Sequence, residues 1–294
     1  MIAPMFKRVL PALAGLFLSA CLGAEAQAQP PVWIVRDADS EILLFGSVHV
    51  LPPGLDWRPK QLDAALAKAD DLWFELPIDP QSEAKVGEIA AARGMLPAGQ
   101  TLSSMLPAQS AKALAAAAQD LNLSMAVLDR LEPWFAEVAL AGAQFRKAGA
   151  DAGSGVEKQI SLSAPASAQR RAFESPEQQI AIFDGAPMAE QIASLEETLR
   201  ELKNDPDAYD DLIAHWMAGD LKALDEDALG PLRKSAPGLY ARLVTERNDR
   251  WIETLKARLD GKGETVVVVG VGHLVGKDGL PARLRALGYS VEGP

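Results

Sequence analysis

The chain has 294 residues, a formal net charge of −11 and a single cysteine, Cys21. The negative charge disfavours nucleic acid and anionic lipid surfaces as partners. Because Cys21 lies near the start of the chain, in the stretch interpreted below as a signal, the folded part can have no internal disulfide, thiolate metal site or cysteine nucleophile. The length fits one large domain or two small ones, at roughly 100–200 residues per domain.

The first 28 residues have the pattern of a secretory signal. Lys7 and Arg8 precede an apolar stretch, residues 9–20, which is too short and too soon followed by polar residues for a transmembrane helix. Two cleavage sites compete, because Leu18-Ser19-Ala20-Cys21 resembles a bacterial lipobox and Ala26-Gln27-Ala28 is an Ala-x-Ala site. We expect a periplasmic or other extracytoplasmic protein, attached to a membrane only if Cys21 carries a lipid, with residues 29–294 forming a single domain.

Strands are predicted at both ends of the mature chain, with helices between them. Residues 32–36 and 41–45 flank a run of turn formers and predict a hairpin, and a helix over 59–69 and a strand over 71–77 follow. Helical periodicity then dominates 82–149, 180–183, 188–202, 208–217 and 239–259, with prolines 97, 107 and 133 as helix boundaries. Strands return only at 265–269 and 289–292, separated by a short helix over 280–287. This order predicts an α+β or α/β domain with a central mixed sheet built from both chain ends.

Two of the three histidines stand in the same short frame after an apolar strand. His49 ends Gly46-Ser47-Val48-His49, and His273 ends Gly270-Val271-Gly272-His273. A glycine after each strand would let the backbone turn sharply, which presents the histidine at the carboxyl end of the strand, where open α/β sheets place ligands and chemistry. One such histidine commonly caps a strand or satisfies a core hydrogen bond. Two in matched frames predict a shared site, from which we leave out His215, whose helix has no such frame.

Glu75 ends the third predicted strand and is the third candidate for this site. Two imidazoles and a carboxylate suit a divalent transition metal, which would bind water and lower the pKa of that water toward ~7. The alternative without a metal uses one histidine as general base, with the carboxylate orienting it. Arg247 and Arg250 lie on one helical face, which is either solvated or turns one arginine inward, to a carboxylate such as Glu75 or Glu157 or to a carboxylate or carbonyl of the substrate.

Several common catalytic motifs are missing from the sequence. It has no Gly-x-Ser-x-Gly elbow, phosphate loop, dinucleotide fingerprint or Cys-x-x-Cys pair, and no His-Glu-x-x-His helix. Nucleotide chemistry, serine-triad hydrolysis and metallohydrolases of the zincin type are therefore disfavoured.

Seven short blocks run in order over the whole mature chain: residues 44–50, 74–76, 155–157, 174–185, 216–220, 246–250 and 270–276. Each block is weak by itself, but the series is specific. By these blocks the chain resembles the TraB/GumN family, which is related to the Tiki metalloproteases and more remotely to ChaN-like and erythromycin-esterase-like proteins.

The resemblance implies a mixed sheet that gathers both Gly-x-x-His segments at one site. By similarity to Tiki proteins it implies a manganese- or cobalt-dependent peptidase, although zinc or iron would also suit the ligands. It makes His49, Glu75 and His273 the metal or catalytic groups, with Arg247 and Asn248 as supporting residues. Where the family usually reads Gly-Ile-Asp, this chain has Gly155-Val156-Glu157, with a longer carboxylate.

Two classes of function follow from these residues. The first is an extracytoplasmic metal-dependent hydrolase that acts on a peptide or protein, with the metal-free histidine base as its variant. The second is a binding protein that holds a metal, a haem-like ligand or a small molecule without turnover, as the likeness to ChaN allows. If His49 and His273 lie far apart, the chain is instead an inactive scaffold.

Overall fold

Strands from both chain ends form one mixed sheet in the computed structural model, which describes residues 29–294. The predicted signal, with Cys21, lies outside the described residues. The order across the sheet is β4-β3-β5-β2-β1-β6. The strands are β1 (Val32–Arg36), β2 (Ser40–Ser47), β3 (Asp71–Phe74), β4 (Gln169–Ala172), β5 (Gly263–Gly270) and β6 (Ser290–Glu292).

Helices occupy most of the chain between β3 and β5, as the periodicity predicts, and in the described residues one further α-helix lies before β3 and one after β5. Up to β4 they are α1 (Lys60–Leu66), α2 (Pro80–Arg93), α3 (Leu102–Met105), α4 (Ala108–Asp120), α5 (Met125–Leu128), α6 (Pro133–Lys147) and α7 (Val156–Ser163). After β4 come α8 (Pro176–Asp184), α9 (Met188–Asn204), α10 (Ala208–Ala218), α11 (Leu221–Ala223), α12 (Gly230–Ser235), α13 (Pro237–Tyr240), α14 (Glu246–Leu259) and α15 (Leu280–Ala286). The predicted α+β class and the sheet built from both chain ends are confirmed.

The strands β4, β3, β5 and β2 run parallel to one another, whereas β1 pairs antiparallel with β2, and β6 pairs antiparallel with β1. β5 lies in the middle of the sheet, and its valines are buried on both faces. Val266 and Val268 pack into a core that contains Trp216, and Val267 and Val269 pack into the opposite core, which contains Trp251. Cover on both faces explains the continuous apolar run of this strand.

Two details of the helical middle differ from the prediction. β4 was not expected, because its sequence Gln-Arg-Arg-Ala carries no apolar alternation; it is a polar edge strand that pairs only with β3. The single helix predicted over 239–259 is divided into α13, a π-helical turn (Ala241–Thr245) and α14. In residues 29–294 no helix is both long enough and apolar enough to cross a membrane.

Candidate active site

The four parallel strands deliver polar side chains to one edge of the sheet, where their carboxyl ends meet. Glu174 follows β4, Glu75 follows β3 directly, His273 ends a 3₁₀ turn after β5, and His49 follows β2. His49, Glu75 and His273 line the same cavity, together with Arg247. The structure therefore brings the predicted site residues together from distant parts of the chain.

The first glycine of each histidine frame lets neighbouring groups approach the backbone closely. It does not form the predicted sharp turn. Gly46 lies inside β2, and neither it nor Gly270 has a positive φ. A Cβ atom on Gly270 would lie 3.1 Å from Glu75 Oε1 and 3.5 Å from His49 Nε2. These two polar atoms thus face the same bare stretch of backbone, which a larger residue would cover.

His49 is held by a carboxylate from α7. Its Nδ1 lies 2.7 Å from Glu157 Oε1, and the Ser47 hydroxyl donates to the same oxygen at 2.5 Å. Because the carboxylate accepts, Nδ1 carries the proton and Nε2 is the nitrogen left to face the cleft. The His49 side chain is 66% exposed, whereas that of Glu157 is 11% exposed, so a buried anion orients an accessible imidazole.

The charge of Glu157 determines the protonation of this pair. The negative charge of Glu157 raises the pKa of His49 to about 9, and the charge of Glu75 acts in the same direction. Burial by itself would raise the pKa of Glu157, but the adjacent His49 holds it below its ordinary value. At neutral pH the pair is therefore an ionised carboxylate beside a largely protonated imidazole, and Nε2 becomes a proton acceptor as the pH rises toward the pKa of about 9.

Arg247 joins the other two carboxylates at the edge of the sheet. Its Nη2 donates to Glu75 Oε2 at 2.6 Å and to Glu174 Oε2 at 2.9 Å, and its Nε donates to both oxygens of Glu174. Arg247 is 4% exposed and Glu174 6% exposed, so this is a buried charge cluster. Glu75 Oε1 accepts in addition from the backbone N–H of Gly270 at 2.7 Å. Arg247 is thus the inward-facing member of the arginine pair, while the side chain of Arg250 is 55% exposed.

His273 is fixed in one neutral form by its neighbours. Asn248 Nδ2 donates to the carbonyl oxygens of His273 and Asp278, which turns its Oδ1 toward His273 Nδ1 at 2.8 Å. Nδ1 is therefore the donor. Nε2 is then the acceptor, and Arg247 Nη1 donates to it at 2.9 Å.

Burial and the neighbouring charges set the pKa values of His273 and Glu75. It lowers the pKa of His273 to about 3, and the charge of Arg247 lowers it further against the opposing charge of Glu75. Burial alone would raise the pKa of Glu75, but Arg247 holds it well below its usual range. His273 is thus neutral and Glu75 ionised at neutral pH.

The predicted metal ligands do not form a complete ligand set as they are arranged. Nδ1 of His273 carries a proton that it donates to Asn248, and Nε2 accepts from the cationic Arg247. His273 therefore has no free lone pair for a metal. Among residues 29–294, no three His, Cys, Asp or Glu side chains are placed to hold one ion. His49 and Glu75 would remain as ligands, and metal binding by the chain stays a prediction.

Four residues of the site were not predicted as functional from the sequence. Glu157 stands in a family block, but the sequence indicates it only as a candidate partner of the arginine pair. Ser47 lies inside the first histidine frame, and Glu174 follows the unpredicted strand β4. Gln179 lies on α8 and faces the cleft beside His49 and Glu75. For Arg247 the signal was present, because it continues the buried i, i+4 stripe of Trp251, Leu255 and Leu259 on α14.

The cleft has two lobes that meet at His49, Glu75 and Gln179. The larger lobe, of about 630 Å³, lies between the carboxyl edge of the sheet and helices of the middle region, and most of its lining is apolar. The smaller lobe, of about 300 Å³, includes Glu83, Glu157 and Lys158. The accessible imidazole thus stands between a mostly apolar lobe and a smaller lobe that also carries charged side chains.

Comparison of the sequence with known proteins identifies a family and individual relatives. The sequence model of the TraB/PrgY/gumN family matches residues 31–293. Two proteins named as uncharacterized protein YbaP, from Escherichia coli strain K12 and Shigella flexneri, are each 25% identical over 277 residues, which cover 91% of this chain and 97% of theirs. No solved structure matches the chain.

Proposed function

Since the chain belongs to the TraB/PrgY/gumN family and carries an accessible histidine oriented by a buried glutamate, we propose that it is a hydrolase in which His49 is the general base. The peptide bond is the bond that we propose first, with other amides and esters as the wider class. The observation that carries this proposal is the hydrogen bond from His49 Nδ1 to Glu157, which leaves Nε2 to face the cleft. A reaction with a histidine base does not require a metal, so it does not require His273 as a metal ligand.

The reaction begins with a water molecule between His49 Nε2 and Glu75 Oε1, the two atoms that face Gly270. Nε2 accepts a proton from the water while its oxygen attacks the carbonyl carbon, and the electron pair of the carbonyl double bond moves to the carbonyl oxygen. When the tetrahedral intermediate collapses, the protonated His49 returns the proton to the leaving nitrogen as the C–N bond breaks. Glu157 stabilises the imidazolium formed between these steps.

Gln179 supplies a donor for the developing oxyanion. Gln179 lines both lobes of the cleft, as His49 and Glu75 do, and this shared position supports the assignment. The neighbouring Gln178 is used in the capping box of α8, which fixes the start of the helix that carries Gln179. Arg247 cannot take this role, because its donors already serve Glu75, Glu174, His273 and the Leu243 carbonyl. We assign Arg247, His273 and Asn248 to positioning Glu75.

The experiment is cleavage of a mixture of unstructured peptides by the purified protein, followed by mass spectrometry in EDTA and, separately, in manganese or cobalt. We expect cleavage in EDTA that falls by about 100-fold or more in His49→Ala, the range for loss of a general base. Gln179→Ala should lower kcat by about 100-fold without changing the melting temperature, as for loss of an oxyanion donor. His215→Ala, which removes the third histidine on α10, is the matched control and should retain full activity.

Three results would overturn the proposal. Cleavage that requires manganese or cobalt would replace it with the metal-dependent peptidase that the family resemblance implies. Full activity of His49→Ala would remove the histidine base. Saturable binding of peptides or a metal with no cleavage under any condition would favour the binding protein.

A further inference from the structure

The larger lobe of the cleft is an apolar cavity that opens onto the catalytic atoms. His49, Glu75 and His273 form its polar end. Trp134, Phe135 and Phe183 form part of its wall, and the ring centroid of Trp134 lies 5.1 Å from that of Phe135 and 6.1 Å from that of Phe183. Stacked rings with few rotatable bonds give this wall a fixed shape.

The rest of the wall includes aliphatic side chains, most of them from a separate part of the chain. Leu232 lies on α12, and Leu243 and Val244 lie in the π-helical turn before α14. Val138, on α6, is 46% exposed, which is unusual for a large apolar side chain inside a concave surface. The volume of about 630 Å³ is within the range of about 300–1,000 Å³ found for ligand pockets.

We infer that the substrate carries a bulky apolar group next to the bond that is cleaved, and that this group occupies the aromatic-walled lobe. The inference rests on the proposed function, because it takes the reacting carbonyl to lie at His49. A small polar substrate would leave this lining in contact with water, whereas an apolar group gains free energy in proportion to the area that it removes from water. The amide or ester end then lies at His49 and Gln179, and the apolar end extends toward Trp134.

Gly87 offers a way to fill the lobe without changing a catalytic residue. It lies on α2 and lines the cavity, and a Cβ atom built on it meets no other atom within 4 Å. A leucine at this helical position is compatible with folding, since leucine favours helix more than glycine does. Ala91, exposed on the same helix and outside the cavity lining, provides the matched control Ala91→Leu.

The test is titration of the purified protein with octanamide and with acetamide, followed by tryptophan fluorescence and calorimetry. We expect saturable binding of octanamide and none of acetamide over the same concentrations. Gly87→Leu should weaken octanamide binding by about tenfold or more, whereas Ala91→Leu should match the unmodified protein. Octanamide affinity that is unchanged by Gly87→Leu, or no binding of octanamide to the unmodified protein, would overturn the inference.

The variant His49→Ala separates this inference from the proposed function. It should lose peptide cleavage, but Gly87→Leu should still weaken octanamide binding about tenfold when added to His49→Ala, because the apolar lining is intact. If no peptide is cleaved under any condition but Gly87→Leu still blocks octanamide, the hydrolase proposal fails and the apolar subsite stands. If cleavage depends on His49 but octanamide affinity ignores Gly87→Leu, the subsite fails and the hydrolase stands.

Discussion

His49 and Glu157 together determine how the rate should depend on pH. The charge of Glu157 raises the pKa of His49 to about 9, and a general base must be neutral to accept a proton. We therefore expect kcat/KM to rise with pH up to about 9. Glu157→Gln removes the negative charge, so the rise should shift to lower pH and the plateau should be lower. A pH profile of kcat/KM that is identical in the two proteins would contradict this role of Glu157.

The two arginines of α14 should differ strongly in their contribution to stability. Arg247→Met leaves Glu75 buried without its arginine and Glu174 with only a long contact to Arg250, and breaking a buried ion pair in this way costs about 3–5 kcal/mol. The matched variant Arg250→Met loses only a 3.5 Å contact from a side chain that is 55% exposed, and we expect it to cost less than about 1 kcal/mol. Chemical denaturation of both variants measures the difference. Equal free energies of unfolding would show that the buried cluster contributes nothing specific.

Residue types and frames were enough to predict that His49, Glu75 and His273 meet at one site, but not the protonation state of each side chain. His49 and His273 have matched frames, yet the first is exposed beside Glu157 and the second is buried beside Arg247. The carboxylate and the guanidinium that make this difference lie on α7 and α14. The local sequence does not show how far these two groups lie from each histidine. For that reason it predicts both histidines as equivalent ligands.

Among the elements, the junction between the end of β2 and the start of α7 holds His49 and Glu157 together. Val156 N–H donates to the Val48 carbonyl at 3.2 Å, and a Cβ atom on Gly155 would lie only 1.9 Å from the His49 carbonyl oxygen. Gly155→Ala must therefore push α7 away from β2, at a cost of about 1–3 kcal/mol for overpacking. We expect lower activity together with a lower melting temperature.

The control for this variant is Gly87→Ala, on α2. Its new methyl group meets no atom within 4 Å, and alanine stabilises a helix interior by about 0.5–1 kcal/mol relative to glycine. A melting temperature of Gly155→Ala equal to that of the unmodified protein would mean that the junction is flexible enough to absorb the methyl group.

Most of the elements at the site could be predicted, and the exceptions have a physical cause. Apolar strands such as β5 and β2 stand out because burial requires their composition. β4 does not, because an edge strand with exposed side chains is held by backbone hydrogen bonds that any sequence can form. Glu174 was missed for the same reason, since its position is defined by the end of β4.

Across the whole molecule, the sheet should be most resistant to opening at β5 and β2. β5 is bonded to a strand on each side and covered by a core on each face, whereas β4 and β6 are edges. Amides of β5 should exchange with solvent only through global unfolding, and amides of β4 and β6 through local opening with lower free energy. Hydrogen exchange followed by mass spectrometry measures this order. Exchange of β5 at the rate of β4 would contradict it.

The central place of β5 also affects the order in which the site can assemble during synthesis. β5 is made after β2 and β3, although it lies between them, and His273 follows it. Until β5 is added, Glu75 lacks its Gly270 donor and Arg247 its His273 partner. A nascent chain that stops before β5 therefore cannot assemble the buried charge cluster.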